Sequence, residues 1–398
     1  MGFPAYPVTD RQKQIVQMAS DLAKKFGQRA NENDWAAKFP YENYQDLKDS
    51  GYLTLTVPRD FGGWGANVLE VTLAQFYLAQ GCGSTGLVMS MHHTNIAKLV
   101  EHLTEPRPLF AQICRAVVEE GAVINSSASE PATGSPSRGG RPETTARRQS
   151  DGSWVITGHK TFTTGAPILY YFIVSCSIVD EADADANLPP LTLDRGSFLV
   201  PRASEGLSIE ETWNSVGMRL SGSHDLLLEN VHVSADALMD TSLPTNPAAK
   251  VRVGAWAFPM TAVYLGIAQA ARDEAVTFAR RRRPNSLDKP ISSIPHIQEK
   301  VAKMDLDLLQ AKAVLFGIAD QFSHDPDSVP ASQFAAAKYL VTNHAVEIVE
   351  TAMRLVGGAS LSLSFPLQRY YRDVRAGLHH PPMDDTTIGL LAREALDS

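Results

Sequence analysis

Hydrophobic positions change their period twice along the chain and so divide it into three stretches. In the first, Thr9 and Gln12 have the spacing of a capping box. Ile15, Met18, Ala19, Leu22 and Phe26 share one helical face, and Gly27 is placed to end that helix. Helical patterns continue in YENYQDLKDSG, VLEVTLAQFYLAQGCG and PLFAQICRAVVEEG, interrupted by the Pro- and Gly-rich VPRDFGGWGAN. Residues 1–118 therefore read as an α-helical domain. From about residue 120 the apolar runs become short and β-branched: AVINSSAS, SWVITG, KTFTTG, YYFIVSCSIV, GSFLVP and DLLLENVHV, each bounded by turn residues. This is the texture of a β domain over 119–238, and the acidic DEADADANLPPLTLD inside it reads as a solvated loop. Beyond Asp240, long segments containing Trp256, His296 and Ser332 near their starts are helical and apolar on more than one face. Such helices pack on several sides, in a bundle or a subunit interface, so 239–398 reads as a C-terminal helical bundle. The fold class expected is α+β, mostly α.

Composition narrows the setting. A chain of 398 residues, 44% hydrophobic, can bury a large core in two or three domains. Its net charge of -8 offers no concentrated basic surface, which excludes a nucleic-acid footprint. The N-terminus lacks a basic start followed by an apolar run, and nothing resembles a membrane span of about 18 uncharged residues; a soluble cytoplasmic protein is expected. Cys82, Cys114 and Cys176 are scattered and form no C-x-x-C, so they read as buried small hydrophobes, and no metal is expected.

Several segments carry chemistry only when taken together. SASEPATGS (127–135) has a Pro and a Gly that force a turn; its backbone N–H groups and the hydroxyls of Ser129 and Ser135 can hold a phosphate or the edge of a ring, though alone it is an ordinary turn. GHKTFTTGA (158–166) alone is a strand end. With VPRDFGGWGA (57–66), VGMRLSGSHDLLLENVHV and PLQRYYRDVRAG, these segments stand in the order and spacing of the acyl-CoA dehydrogenase superfamily, which the chain resembles over nearly its whole length. The resemblance implies a helical N-terminal domain, a β-barrel-like middle domain and a C-terminal four-helix bundle, usually in a homotetramer. It also implies a flavin, FAD or else FMN. Ser127, Ser129, Gly134 and Ser135 form the flavin loop, Phe162 stacks on the ring, and Thr163 and Thr164 lie at its edge near N5. The family's R-x-x-F-G is replaced by ARRRRPNSLDKPI. One of Arg281, Arg282 and Arg283 meets the cofactor bound to a neighbouring subunit, or the run is a solvated helix end. The family's Gln ahead of GG is replaced by Arg354, before Gly357 and Gly358, and an Arg there can pair with a phosphate bidentately.

The catalytic carboxylate is the main departure. The family's usual Glu lies nine residues after the Arg of the R-D pair, and counting from Arg372 reaches Pro381; its rarer position falls near Trp256, with no carboxylate in reach. Asp384 or Asp385 stands one helical turn further on and is a candidate base, or else an N-cap for the last helix. His380, in LHHPP, matches a His of flavin monooxygenases on the same fold, which need no α-proton base. In SMHHTNIAKLV, His93, Thr94 and Asn95 match a triplet lining the family's substrate cavity, and His92 and His93 either face that cavity or are satisfied by neighbours. The reaction expected first is α,β-dehydrogenation of an acyl-CoA, in fatty acid metabolism, with electrons passed to an electron-transfer flavoprotein. The alternatives are a monooxygenase fed by a flavin reductase, and an inactive flavin-binding partner subunit.

Overall fold

The structure, a computed structural model, describes residues 5–102, 108–134, 139–179, 193–239 and 254–397. Ser135 and most of the acidic stretch lie outside the described residues. The chain opens with helices α1 (Asp10–Ala36), α2 (Tyr41–Asp49), α3 (Val68–Ala79), α4 (Gly83–His102) and α5 (Pro108–Arg115), the last followed by a π turn over Ala116–Glu120. The Thr9–Gln12 capping box is present. Gly27, however, does not end α1, whose apolar face continues through Phe26 and Ala30 until Ala37 takes the left-handed cap. Gly27 instead lies against the backbone of Gly81.

The strands are β1 (Val123–Ser127), β2 (Thr145–Arg148), β3 (Trp154–Thr163), β4 (Leu169–Val179), β5 (Arg195–Pro201), β6 (Leu207–Glu210), β7 (His224–Val233) and β8 (Leu238–Met239). They form one sheet in the order β6-β7-β3-β2-β4-β5-β8, with β1 parallel to β4 beside β2. SWVITG and KTFTTG, which read as two runs, are one continuous strand, because Gly158 between them keeps extended backbone and faces Thr144. Strand β2 (TARR) lacks an apolar alternation and escapes sequence reading.

The C-terminal helices are α6 (Phe258–Arg281), α7 (Pro295–His324), α8 (Ala331–Val356), α9 (Leu367–Val374) and α10 (Asp384–Asp397). Helix α6 is buried on nearly every side along its first three turns, wedged between α3 and α4 on one side and α8 on the other. Small residues make this approach possible: a Cβ at Gly266 would stand 2.4 Å from the Phe76 carbonyl oxygen. The three cysteines are buried thiols. Among the described residues, no helix is long and apolar enough to cross a membrane.

Candidate flavin and substrate cavity

A cavity of about 570 Å³ opens where α4, the sheet and the segment before α10 meet. Helix α4 presents Leu87, Met91, Thr94, Asn95 and Lys98 to it, positions that recur on one helical face. The loop after β1 contributes Ser129 and Gly134, the end of β3 contributes Phe162, and Thr164 follows it. Trp213, Ser221 and Ser223 form another wall, and Ala376, His379, His380 and Pro381 close the site. Among the described residues lining it there is no carboxylate.

Backbone strain sets the aromatic wall. A register shift between Lys160 and Thr163 breaks the β3–β7 pairing, and Phe162 sits there at φ 54°, 64% exposed. A bulky residue in the left-handed region costs about 1–2 kcal/mol, and such strain concentrates at functional positions. Its ring meets Trp213 edge-on, centroids 6.0 Å apart, and Trp213 is fixed by its indole N–H donating to the Met218 carbonyl at 2.9 Å. The bulge also turns Thr163 inward, so that Phe162 and Thr164 line the cavity while Thr163 Oγ1 is buried without a hydrogen-bond partner among the described residues. Thr164, Ser223 and Ser221 form a hydroxyl chain with contacts of 3.0 and 2.7 Å. Asn125 Nδ2 donates to the Thr164 carbonyl at 2.8 Å and its Oδ1 accepts from Asn95, tying β1, α4 and this chain together.

Two buried ionic arrangements hold these walls. Lys160, on β3 and fully buried, donates to Glu130 Oε1 at 2.5 Å; Glu130 also accepts from the backbone N–H groups of Glu143 (2.6 Å) and Thr144 (3.0 Å). Burial alone would raise the Glu130 carboxyl, but these donors, Lys160 foremost, hold it at about 2. The loop from Ser129 to Gly134 is thereby pinned to β3, with Glu130 and Gly134 exchanging backbone hydrogen bonds. On the other wall, Arg372 pairs with Asp34 at 2.5 Å and donates to the Val216 carbonyl, while Asp373 accepts from Met218 N–H at 2.6 Å. The R-D pair thus clamps the segment carrying Trp213, Gly217 and Met218. Gly217 is required in that clamp, since a Cβ would lie 2.3 Å from the Arg372 carbonyl oxygen.

The chain matches the acyl-CoA dehydrogenase N-terminal domain over residues 9–106, the middle domain over 126–231 and the C-terminal domain over 253–378. It belongs to the acyl-CoA dehydrogenase family. It is 44% identical over 98% of both chains to Putative acyl-CoA dehydrogenase YdbM of Bacillus subtilis (strain 168). It is also 29% identical, over 98% of this chain and 95% of the relative, to amino sugar nitrososynthase DnmZ of Streptomyces peucetius. Among solved structures, a KijD3 in complex with FMN and dTDP-3-amino-2,3,6-trideoxy-4-keto-3-methyl-D-glucose superposes with a TM-score of 0.83. That match has 27% identity and covers 98% of this chain and 95% of the other. The family is one of flavoproteins, and the two relatives named here carry names of different reactions.

A flavin fits the family cavity on this structure's own terms. Phe162 and Trp213 offer an aromatic wall, Ser129 and Thr164 offer hydroxyls at its edge, and Ser127 Oγ and Thr163 Oγ1 beside them are buried without partners among the described residues. Of the residues singled out from sequence, Thr94, Asn95, Ser129, Gly134, Phe162, Thr164 and His380 come together at the cavity. Ser127 and Thr163 lie one residue behind its wall. His92 and His93 do not line it. The Ile124 N–H donates to His92 Nδ1 at 3.2 Å, so Nε2 carries the proton and donates to the Leu53 carbonyl at 2.9 Å. His93 Nδ1 contacts Thr56 Oγ1 at 3.3 Å. Burial pushes His92 down to about 4 and His93 well below its ordinary value, so both are neutral packing groups.

Asp384 and Asp385 do not line the cavity either. Asp384 faces α8, where it pairs with the buried Lys338 at 3.5 Å and accepts from Asn343 at 3.1 Å; Asp385 accepts from the Thr386 N–H in the first turn of α10. Arg281 is exposed in the last turn of α6. Arg354 is ion-paired with Glu350 at 2.6 Å beside a separate pocket of about 490 Å³, and Gly357, at φ 72°, caps α8 ahead of Gly358. None of these four reaches the cavity within one chain. Trp213, Asn125, Ser221 and Lys98 line it without having been singled out; the signal for Trp213 was its place just ahead of the VGMRLSG signature.

Proposed function

We propose that the protein is a flavin-dependent monooxygenase, supplied with reduced flavin by a separate reductase and acting on a small substrate with an apolar body. The observation that carries this reading is the segment HHPP: Pro381 lines the cavity where the family's base would stand, no described lining residue is a carboxylate, and a histidine takes the place beside it. Bound here, a reduced flavin supplies the two electrons with which dioxygen is split between the substrate, which gains one oxygen atom, and water. The chain's own part is to orient, to exclude water and to hold protons. Phe162 and Trp213 stack and orient the ring. The Thr164–Ser223–Ser221 chain and Asn125 supply hydrogen bonds at its edge. His380 is held neutral: burial first, then the nearby charges of Lys338 and His379, push it down to about 4. A neutral imidazole carries one N–H donor and one acceptor, so it can donate to a developing oxyanion or take up a substrate proton without bringing in a fixed charge.

A second reading, acyl thioester dehydrogenation with transfer to an electron-transfer flavoprotein, is favoured by the likeness to YdbM. It requires Asp384 to leave Lys338 and Asn343 and enter the cavity. Two measurements separate the readings. Anaerobic mixing of the flavin-loaded protein with a panel of acyl-CoAs should leave the oxidised flavin absorbance unbleached. Supplied reduced flavin and air should give oxygenated product from small heteroatom-bearing substrates. Bleaching by any acyl-CoA would overturn the monooxygenase reading. A homotetramer, the family's habit, is part of the proposal and is checked by light scattering.

A further inference from the structure

The face that α4 turns to the cavity is graded. Leu87 and Met91 make its start apolar, Thr94 and Asn95 make its middle polar, and Lys98 makes its end cationic. At 1.5 Å per residue this stripe is roughly 16 Å long, the length of a compact organic molecule with two unlike ends. Lys98 is the one fully charged side chain type, Lys, Arg, Asp or Glu, among the described lining residues, and it has neither hydrogen bond nor ion pair with any described residue.

Lysines near a helix C-terminus are common, because the carbonyl dipoles there favour a cation. They ordinarily reach to water or to a carboxylate. Lys98 instead stands in the cavity wall, and burial lowers its ammonium from the usual range with no neighbouring charge opposing that effect. A half-buried cation facing a cavity with no counter-charge among the described lining residues is disposed to bind an anion.

We propose that the substrate carries an anionic end, a carboxylate or a phosphate, which pairs with Lys98 while its hydrocarbon or aromatic body lies along Met91 and Leu87 toward Trp213. The assignment rests on the reading that this cavity holds both flavin and substrate. It names the substrate class, not the reaction. His380 and Lys98 then have separate tasks: the histidine at the reacting end, the lysine at the recognition end.

The test uses the flavin-loaded full-length protein and matched probes: benzoate against benzamide, and phenyl phosphate against phenol. Each is titrated while the bound flavin's difference spectrum is followed. A charge-assisted hydrogen bond from a half-buried donor should give a roughly ten- to hundredfold preference for at least one anion over its neutral partner. The better of the two anions identifies the group. Lys98→Met should reduce that preference to about one without loss of flavin, and Lys98→Arg should keep most of it. Should Lys98→Met lose its flavin, the Arg variant together with Lys98→Gln decides the matter by the same ratio. Equal binding of acid and neutral probe by the unmodified protein, or a preference that survives in Lys98→Met, overturns the proposal. Because the readout is binding, anion preference without oxygen-dependent turnover would retain Lys98 and remove the monooxygenase reading. Turnover without anion preference would do the reverse.

Discussion

Replacing Lys160 by Met should loosen the Ser129–Gly134 loop from β3, and the size of the effect follows from what Glu130 keeps. In the unaltered protein Glu130 sits at about 2 against an ordinary 4.5, a difference worth about 3 kcal/mol of stability at neutral pH. Removing Lys160 takes away its largest stabilising donor, while Glu143 N–H and Thr144 N–H remain at 2.6 and 3.0 Å. Breaking one side of a buried ion pair costs about 3–5 kcal/mol, and the two surviving backbone donors place this case near the lower end. The opened population of the middle domain should therefore grow roughly a hundredfold. The measurement is urea unfolding followed by intrinsic fluorescence, together with flavin retention on gel filtration.

The pH dependence has a definite sign. Glu130 has a depressed pKa, so its contribution is fully present above about 4.5 and is lost as pH falls through about 2. The gap between Lys160→Met and the unaltered protein should thus be constant near neutrality and narrow below about 4.5. A double variant, Lys160→Met with Glu130→Gln, removes the uncompensated charge and should be more stable than Lys160→Met alone. The reasoning is refuted if Lys160→Met keeps both its unfolding midpoint and its flavin, or if the double variant loses the sum of the two single losses.

Other outcomes test the cavity's closing segment. Lys338→Met removes a positive charge that disfavours protonated His380; the histidine should rise from about 4 toward its ordinary range, moving the acid limb of the pH–rate profile upward, and an unmoved limb would remove Lys338 from this role. Asp384→Asn should leave flavin binding and oxygenation in place while unfolding at lower urea; complete loss of turnover with flavin still bound would make the carboxylate the base. Gly377→Ala would put a Cβ 2.8 Å from the Tyr264 ring, whose centroid lies 5.8 Å from that of the His380 ring, so a loss of about 1–3 kcal/mol with reduced turnover is expected, and an unchanged melting temperature would contradict it.

What the sequence made legible was local or came as motifs in order. The Thr9–Gln12 box, the helical stretches and the strand runs of β3 were readable because capping and side-chain period are properties of a few adjacent residues. The rest depends on distant contacts. Nothing in SMHHTNIAKLV says that Leu53 and Ile124 will satisfy His92 and so turn it away from the cavity while Asn95 and Lys98 face it; that depends on β1 passing behind α4. Strand β2 is invisible locally because its pairing with β3 and β4, not an apolar pattern, makes it a strand. Gly27 reads as a stop from composition alone, yet a Cβ there would meet only Gly81 at an ordinary 3.9 Å, and the buried apolar face of α1 carries the helix past it.

The crowded HHPPMDD is resolved by asking which of its groups can stand in the cavity without leaving another group uncompensated. Asp384 is engaged elsewhere: Lys338 is buried on α8, its ammonium lowered by burial and raised again by Asp384, its ion-pair partner among the described residues. Drawing that carboxylate into the cavity would supply a base but leave a buried ammonium unpaired, at a cost of several kcal/mol. His380 requires no such compensation, since burial and the same Lys338 charge keep it neutral. One lysine therefore does two things: it retains the aspartate on the far side of the helix start and keeps the histidine uncharged at the cavity. The Asp384→Asn and Lys338→Met variants should consequently differ. The first should disturb stability and spare chemistry, and the second should disturb both, with the change in chemistry read as a shifted acid limb.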